Sequence, residues 1–454
     1  MTKHIDPVLK EIASIFNAKD REIYLVGGAV RDILRNEKNH DWDLTTNALP
    51  DEVTKIMKNA GAKVIPTGIR HGTVTIIYKK NTAEITTFRT ESDYTDGRRP
   101  DNISFTANID DDLSRRDFTM NAIALRLPDG KLTDPFGGAK DIKAKIIRCV
   151  WNAADRFSED GLRPLRAVRF AAQLGFKIEK NTLAAVRGAL SVCAKVSMER
   201  VRDEIDKILA SPVPSAGFRL MEDTGLLELF LRELAVCRGI EQKGFHQFDV
   251  LDHSLLACDY CAANNFSREV QLAALFHDIG KPGTRALDTG GVYTFYRHEE
   301  ASAVMCREIL CRLRYPNYVI DKVCHLTKEH MFHYTDEWSD AAVRRFIARI
   351  GEENLSDIYR LRRADIYGFS GRNPDYRSIE QLVERVNEVL EKGKALAIKN
   401  LAVNGNDLME IGIPGGKMIG IILKQLLETV LDDPKQNTKE RLLEIAGRIY
   451  RERR

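Results

Sequence analysis

The spacing of hydrophobic and polar positions changes about one third of the way along the chain. Short apolar or alternating runs come first, at Ile23 to Val26, Thr73 to Tyr78, Glu84 to Phe88 and Ile146 to Val150. Such runs predict β-strands, and helices are expected between them. After Trp151, Leu, Ile and Val recur every three or four residues, which predicts helices. The pattern therefore predicts an α+β head, a mixed β-sheet with helices, followed by an all-α remainder.

Two breaks divide the helical part further. Ser211-Pro-Val-Pro-Ser215 is rich in proline, and the stretch from Gly368 to Tyr376 is polar and contains glycine. A chain of 454 residues is also too long for one hydrophobic core. We expect a head at 1–150, a helical neck at 151–240, a helical middle domain at 241–370 and a helical tail at 371–454.

Composition excludes some classes of protein. Lys and Arg number 69 and Asp and Glu 66, a net charge of +3 that neither requires nor excludes an RNA partner. No run approaches the ~20 apolar residues of a membrane span, so no membrane partner is expected. Met1 to Lys10 carries charges without an apolar core, unlike a signal peptide. Eight cysteines without a secretion signal indicate reduced thiols and a cytoplasmic protein.

A tight turn follows the first predicted strand. Gly27 and Gly28 open a short helix, and Arg31 lies one turn into it. Backbone N–H groups at a helix N-terminus bind phosphate, and an arginine fork adds a charged contact. Gly27, Gly28 and Arg31 are therefore candidate phosphate ligands, although a structural strand–helix turn would have the same sequence.

Two aspartates follow this turn. Asp41 and Asp43 flank Trp42, and residues two apart in a strand point to the same face. Paired carboxylates repel unless cations lie between them, and Mg²⁺ takes oxygen ligands from protein and from substrate phosphates. Two such ions activate an attacking hydroxyl and stabilise a pyrophosphate leaving group. Nucleotidyl transfer often uses a third carboxylate on a neighbouring strand, for which Glu84 is the candidate and an edge-strand glutamate is the alternative. The segment thus predicts Mg²⁺-dependent nucleotidyl transfer.

Five ordered motifs resemble those of class II tRNA nucleotidyltransferases, the CCA-adding enzymes that share a family with bacterial poly(A) polymerases. They are Leu25-Val-Gly-Gly-Ala-Val-Arg-Asp32 with Asp41-Trp-Asp-Leu44, Arg115-Arg-Asp-Phe-Thr-Met-Asn-Ala122, Asp134-Pro-Phe-Gly-Gly138, Glu159-Asp-Gly-Leu-Arg163 and Arg166-Ala-Val-Arg-Phe170. The resemblance implies template-independent addition of CCA to tRNA 3′ ends from CTP and ATP. It also implies that the tail binds the acceptor end of tRNA, with no DNA partner.

The second motif has side chains suited to a ribose hydroxyl. An aspartate accepts a hydrogen bond from the 2′-hydroxyl and an arginine or asparagine donates one, so Arg116, Asp117 and Asn121 are candidates. An Arg–Asp pair that caps a helix is the alternative. Arg166 and Arg169 in the last motif complete the candidate nucleotide ligands.

The fourth motif has a candidate pair for reading the nucleobase. With Ser158 as N-cap, one helix would place Asp160 and Arg163 on the same face. The aspartate accepts from the exocyclic amine of cytosine or adenine and the arginine donates to the ring, whereas uracil and guanine present the opposite pattern. Pro164 either kinks this helix or marks a later start.

Two segments distinguish among the members of this family: CCA-adding, C-adding and A-adding enzymes and poly(A) polymerases. The stretch from Glu91 to Asn108 fills the place of a flexible loop that dedicated C-adding relatives lack. Thr67-Gly-Ile-Arg-His71 resembles the CCA-adding side rather than the poly(A) polymerases. A dedicated A-adding enzyme and a poly(A) polymerase remain the alternatives.

Histidines and aspartates recur in the predicted middle domain. Their order resembles the ligand set of HD-domain metallophosphohydrolases, with a second ion at the last two histidines: His253, His277, Asp278 and Asp365, then His298 and His330. Imidazole and carboxylate suit a divalent transition metal with a nucleophilic water. The resemblance implies hydrolysis of 2′,3′-cyclic phosphates or of phosphate ends of damaged tRNA. One alternative is a helical core that has lost activity, and another is a non-catalytic tRNA-binding head that serves this hydrolase.

Overall fold

The computed structural model describes residues 5–37, 42–66, 68–92, 102–242, 247–372, 374–392 and 397–453. Asp41 and the segment 93–101 of the predicted loop lie outside the described residues. The chain divides into two compact units, Met1–Ala235 and Val236–Arg454. The finer division into four parts stays a prediction.

The first unit contains a mixed β-sheet. The strands of this unit are β1 (Ile23–Val26), β2 (Trp42–Thr46), β3 (Lys63–Ile65), β4 (Thr73–Tyr78), β5 (Asn81–Thr87), β6 (Arg89–Ser92), β7 (Asn102–Phe105), β8 (Ala124–Arg126), β9 (Leu132–Thr133), β10 (Ile146–Ile147) and β11 (Lys177–Ile178). Within the described residues, seven strands form one sheet in the order β3-β4-β5-β2-β1-β8-β9. β2 and β5 pair in parallel and the other neighbours pair antiparallel.

Burial along the strands explains their positions. All four residues of β1 are buried, as its place near the centre of the sheet requires. Buried and half-buried residues alternate along β4, which matches the period-2 pattern of its sequence. The predicted strand at 84–88 begins earlier, at Asn81, and the one at 146–150 is shorter, at Ile146–Ile147.

Helices accompany this sheet and then continue alone. They are α1 (Pro7–Asn17), α2 (Gly28–Leu34), α3 (Pro50–Asn59), α4 (Ile109–Ser114), α5 (Gly138–Ala144), α6 (Ala153–Glu159), α7 (Leu162–Leu174), α8 (Lys180–Gly188), α9 (Leu190–Cys193), α10 (Met198–Leu209), α11 (Pro214–Thr224), α12 (Leu226–Phe230) and α13 (Arg232–Ala235). Pro214 opens α11, where its missing N–H costs no hydrogen bond. The proline-rich segment therefore separates two helices.

The second unit is almost entirely helical in its described residues. Its helices are α14 (Val250–Ala263), α15 (Arg268–Phe276), α16 (Lys281–Thr284), α17 (His298–Arg312), α18 (Asn317–Glu329), α19 (Asp340–Ile350), α20 (Leu355–Ser370), α21 (Arg377–Lys392), α22 (Gly405–Glu410), α23 (Lys417–Asp432) and α24 (Lys439–Arg453), and a short hairpin pairs β12 (Ala286–Leu287) with β13 (Tyr293–Thr294). The expected fold class, an α+β head followed by helical domains, is confirmed. No helix among the described residues has the length and apolarity to cross a bilayer.

Candidate functional site

Two carboxylates face each other on the sheet of the first unit. Asp43 of β2 lies opposite Glu84 of β5 in the parallel register, and both are exposed, whereas the following residues Leu44 and Ile85 are buried. Partial burial, and then the charge of Asp43, raises the pKa of Glu84. The two side chains therefore lie on one face of the sheet, as predicted, and they repel each other. Asp41 lies outside the described residues.

The glycine turn lies against this face. Gly27 has a φ of +67° and precedes the seven-residue helix α2. A Cβ at Gly27 would lie 3.3 Å from Arg116 Nη1 and 3.5 Å from Asp43 Oδ2. The turn, the guanidinium of the second motif and the carboxylate of the first motif are thus brought together, because glycine leaves this space open.

A chain of hydrogen bonds joins the glycine helix to the second motif. Arg31 Nη1 donates to Asn121 Oδ1 at 3.1 Å, and Asn121 Nδ2 donates to Asp117 Oδ1 at 3.1 Å. Arg166 donates Nε and Nη2 to Asp117 Oδ2, at 2.8 and 2.5 Å. Burial alone would raise the pKa of Asp117, but the charge of Arg166 and the hydrogen bonds from Asn121 and Arg166 lower it to about 2. Asp117 is therefore an ionised, buried centre that orients Asn121 and Arg166.

Three arginines surround one aromatic ring. The guanidinium carbons of Arg31, Arg166 and Arg169 lie 5.4, 5.4 and 3.6 Å from the ring centroid of Phe170. Arg169 Nε also donates to Glu204 Oε2 at 2.7 Å. Cation–π contacts and paired carboxylates hold these cations close together despite their mutual repulsion. The predicted nucleotide ligands of the first, second and last motifs therefore form one cluster.

The fourth motif has a different local structure from the one predicted. Ser158 lies inside α6, and Asp160 caps that helix at its C-terminus, so Ser158 is not the N-cap of a helix that contains Asp160 and Arg163. α7 begins at Leu162, so Pro164 falls in its first turn, where it removes no intrahelical bond. Pro164 thus marks a later helix start. Asp160 and Arg163 do not share a helix face.

The partners of this pair also differ. Asp160 Oδ1 accepts from the backbone N–H of Leu162 at 3.0 Å, and Oδ2 accepts from Arg200 Nη2 at 3.0 Å. Arg163 is buried and donates to Glu159 Oε2 at 2.5 Å and to the backbone oxygens of Arg156 and Arg115. Reading of the base by Asp160 and Arg163 stays a prediction.

Sequence reasoning missed two residues of this site. Asp112 is fully buried and accepts from Arg115 and Arg116, which holds the pKa of Asp112 below its usual range against the effect of burial. Its spacing of four residues before Arg116 was a usable signal. Arg200, which contacts Asp160 from a position 40 residues later, had no local signal.

In the second unit, six buried side chains converge. His253 Nε2 and His277 Nε2 are 3.0 Å apart. Asp365 Oδ1 lies 3.1 Å from the former and 3.5 Å from the latter, and Asp278 Oδ2 lies 3.4 and 3.3 Å from the same two atoms. The other oxygen, Asp278 Oδ1, lies 3.2 Å from His298 Nε2 and 3.7 Å from His330 Nε2. All the predicted members of this cluster are therefore brought together, and Asp278 faces both groups of histidines.

Backbone contacts fix the orientation of three of these rings. His277, His298 and His330 each contact the carbonyl oxygen of the residue three positions earlier through Nδ1, at 2.9, 2.8 and 2.7 Å. A carbonyl oxygen only accepts, so Nδ1 carries the hydrogen and Nε2 faces the cluster. This arrangement is typical of metal-binding histidines. Within the described residues, Asp278 Oδ1 and His298 Nε2 are buried without a hydrogen-bond partner, which fits an ion between them.

Charge in this cluster is balanced by cations. Burial alone would lower the pKa of His277, but Asp278 and Asp365 raise it to about 10. Burial, and then the charge of His277, lowers the pKa of His330 to about 3. A proton on His277 thus takes the position between carboxylates that suits a metal cation. Two further contacts, missed from sequence, are those of Lys281 Nζ with Asp278 Oδ2 at 2.6 Å and of Arg362 Nη1 with Asp365 Oδ2 at 2.5 Å.

Three family models match the chain. A poly A polymerase head domain matches residues 23–148, a probable RNA and SrmB-binding site of polymerase A matches 175–237, and a putative tRNA nucleotidyltransferase domain 2 matches 295–446. The first match covers the paired carboxylates, the glycine turn and the second motif. The protein is thus a nucleotidyltransferase with a head of the poly(A) polymerase type.

Relatives extend the similarity to the whole chain. The CCA-adding enzyme of Lactobacillus johnsonii is 34% identical over 443 residues, 96% of this chain and 95% of that protein. The CCA-adding enzyme of Enterococcus faecalis is 32% identical over 449 residues, 98% of this chain and 95% of that protein. The crystal structure of the Bacillus stearothermophilus CCA-adding enzyme in complex with CTP aligns at 29% identity with a TM-score of 0.72 and covers 99% of both chains. The chain therefore belongs to the family of CCA-adding tRNA nucleotidyltransferases, and membership implies dependence on a divalent metal.

A more distant structure shares the fold. The Thermotoga maritima CCA-adding enzyme complexed with tRNA aligns with a TM-score of 0.54 at 22% identity and covers 98% of this chain and 97% of that one.

Proposed function

We propose that this chain adds C, C and A in turn to the 3′ end of tRNA, using CTP and ATP and releasing pyrophosphate. The observation that carries the proposal is the pair Asp43 and Glu84 beside the Gly27 turn and Arg116, in a chain that matches CCA-adding enzymes along its length. Relatives solved with CTP and with tRNA support these substrates. Eight free thiols support a cytoplasmic location.

The carboxylates of the head fit Mg²⁺. Asp41, Asp43 and Glu84 are oxygen donors, and Glu84 has a raised pKa because partial burial and the charge of Asp43 disfavour its ionised form. Mg²⁺ held there would supply activation of the attacking hydroxyl and charge stabilisation of the leaving pyrophosphate. Metal binding would relieve the repulsion that the two opposed carboxylates feel.

Other side chains of the site bind the triphosphate and the ribose of the nucleotide. Gly27, Gly28 and Arg31 bind the triphosphate, and Arg116 lies beside Gly27 and Asp43. Asp117 orients Asn121 and Arg166, so the ribose contact comes from Asn121 and Arg116 rather than from the Asp117 carboxylate itself. The 3′-hydroxyl oxygen of the RNA loses its proton and forms a bond to the α-phosphorus of the nucleotide. The bond from that phosphorus to the oxygen shared with the β-phosphorus breaks, and pyrophosphate leaves.

Base choice is assigned to the fourth motif. Asp160 accepts from the exocyclic amine of cytosine or adenine, and Arg163, held by Glu159, donates to the ring. A site built from such polar groups discriminates by about 10⁴-fold, because the wrong base leaves them unpaired.

One experiment separates the proposal from its alternatives. A tRNA transcript without its last three nucleotides is incubated with CTP, ATP or both, and the product is sized to one nucleotide. We expect two additions with CTP and three with both nucleotides. Extension only of a CC-ended transcript, by one A, indicates a dedicated A-adding enzyme, and long ATP-dependent tails indicate a poly(A) polymerase. No extension would leave the head as a tRNA-binding module.

The buried cluster favours a second activity, hydrolysis of phosphoesters at the end of an RNA. Four imidazole nitrogens and two carboxylates suit a divalent transition metal, which would supply Lewis acidity to the phosphoester and its attacking water. We expect the purified chain to retain metal and to hydrolyse bis-p-nitrophenyl phosphate. Loss of both properties in His277→Ala, with CCA addition kept, would support this assignment. Metal-free protein after dialysis against Mn²⁺, Ni²⁺ or Zn²⁺ would indicate a core that has lost the function.

A further inference from the structure

Trp151 is an exposed indole in an unusual backbone conformation. Its φ is +61°, in the left-handed region that bulky residues rarely adopt, and it is 69% exposed. Such residues persist only where surrounding contacts hold them, and they cluster at functional sites.

Packing fixes one edge of the ring. Trp151 and Phe136 are in an edge-to-face contact, with ring centroids 5.0 Å apart and an interplanar angle of 76°. Phe136 in turn packs against a buried cluster that includes Val26 and Val150. The indole is thus anchored on one side and open to solvent on the other.

The position of this aromatic pair follows from the register of the sheet. Leu25 of β1 lies opposite Leu44 of β2, so in this antiparallel pair Val26 lies opposite Asp43. Residues directly opposite each other point to the same face of a sheet. Since Phe136 packs against the buried cluster that contains Val26, we place the aromatic pair on the face that carries Asp43. Val150, next to Trp151, also donates its backbone N–H to the carbonyl oxygen of Asp117 at 3.2 Å.

We propose that Trp151 is the stacking platform for the nucleobase at the 3′ end of the acceptor RNA. The inference rests on the proposed function, in which a single-stranded RNA end must be held beside a bound nucleotide. The side chains proposed above for catalysis and substrate binding contact metal or nucleotide, so the RNA end needs a contact of its own. Base–aromatic stacking tolerates any base. That tolerance suits an end whose terminal base changes with every addition.

Trp151→Gly tests this role with little risk to the fold. Glycine adopts a positive φ without strain, so the variant removes the ring and keeps the backbone. The substrate is an RNA minihelix whose 3′ end is the nucleotide to which the first C is added. For Trp151→Gly we expect the KM for this RNA to rise about tenfold and the KM for CTP to stay unchanged. Trp151→Phe keeps an aromatic face and should restore most of the affinity. Tyr318→Ala, which removes a 67% exposed ring in the second unit, is the matched control and should leave both KM values unchanged.

An abasic RNA end makes the test specific. A minihelix whose 3′-terminal residue has a hydroxyl but no base should bind the wild-type protein more weakly than the intact minihelix does. Trp151→Gly should bind this abasic minihelix as well as the wild type does, since the base that would stack on the ring is already absent. RNA with an intact end should quench the tryptophan fluorescence of the wild type but quench Trp151→Phe less. An unchanged KM for RNA in Trp151→Gly, or two losses that multiply, would overturn the stacking role. Failure of the wild type to extend any RNA would instead overturn the proposed function.

Discussion

Glu84 and Asp43 lie directly opposite each other on adjacent parallel strands, and both residues are exposed. Partial burial and the charge of Asp43 raise the pKa of Glu84. Like charges in this arrangement destabilise the metal-free fold, whereas a divalent cation between them would reverse the effect. The geometry therefore links stability, pH and metal at one site.

Glu84→Gln should stabilise the metal-free protein while it lowers activity. A carboxyl whose folded pKa lies above its usual 4.5 binds more protons when folded, so its stabilising effect is present at low pH and is lost as pH rises through the folded pKa. At pH 7 in a chelator, we expect a higher Tm for Glu84→Gln than for the wild type, and the gap should close near pH 4. Added Mg²⁺ should raise the Tm of the wild type more than that of the variant. A lower Tm for the variant in chelator would contradict the repulsion.

Asp43→Ala should abolish nucleotide addition without abolishing tRNA binding. Loss of a metal ligand removes several kcal/mol of transition-state stabilisation, or about 10³-fold or more in rate. Single-turnover addition of C and a filter-binding assay with tRNA measure the two properties separately. Addition near the wild-type rate would refute the metal assignment, and loss of tRNA binding would place Asp43 in the RNA interface.

Asp160 substitutions should change the choice of nucleotide. Asp160→Ala removes the acceptor for the exocyclic amine, so UTP and GTP should gain relative to CTP and ATP. Asp160→Asn presents an amide donor where uracil has a carbonyl, so it should favour UTP in particular. The ratio of kcat/KM for each nucleotide is the measurement, and Asp155→Ala, an exposed acid in α6, is the control. An unchanged ratio in both variants would exclude Asp160 from base reading.

Asp117→Asn should destabilise the first unit in a pH-dependent way. Arg166 and Asn121 hold the pKa of Asp117 at about 2, so its stabilising effect is present above the usual 3.8 and is lost as pH falls toward the folded value. At pH 7 the loss in the variant should be on the order of 2.5 kcal/mol. Urea unfolding at pH 7 and at pH 3 should show a difference that shrinks at the lower pH. An equal difference at both values would mean that the carboxylate charge is not what stabilises the site.

The local parts of the head were predictable from sequence. The apolar run before Gly27 and the alternation at 73–78 follow from strand periodicity and from turn chemistry, whereas the order of the motifs was informative through its resemblance to a known family. Glu84 was predicted as a third carboxylate on a strand next to that of Asp43, but the pairing of the two strands and their register came only from the structure. The helix break at Asp160 was not predicted, although the sequence carried a signal for it, because aspartate favours helix caps and glycine disfavours helix interiors.

Contacts between residues far apart in the sequence could not be predicted from the sequence. The contact between Arg200 and Asp160, and the use of Asp117 as a buried centre for Arg166, depend on how separate helices pack. The members of the histidine cluster were predicted from the resemblance of their order to that of HD-domain metallophosphohydrolases. Its supporting cations, Lys281 and Arg362, follow only from the packed structure.

Asp278 and Asp365 should differ in how many metal ions they hold. Asp278 turns one oxygen to His253 and His277 and the other to His298 and His330, whereas Asp365 faces only the first pair. Asp278 would therefore help to hold an ion at either group of histidines, whereas Asp365 would help at only one. If the cluster binds two ions, Asp278→Ala should lose both and Asp365→Ala should lose one.

Mass-spectrometric metal analysis of protein loaded with Mn²⁺ and freed of excess metal gives the stoichiometry without any assay of activity. Asp252→Ala, a partly exposed acid one residue before His253, is the control and should keep the wild-type metal content. Because Asp278 and Asp365 are buried among cations, each variant must also show a cooperative thermal transition before its metal content is compared. Equal losses in Asp278→Ala and Asp365→Ala would mean that the cluster holds a single ion, with His298 and His330 outside its ligand set.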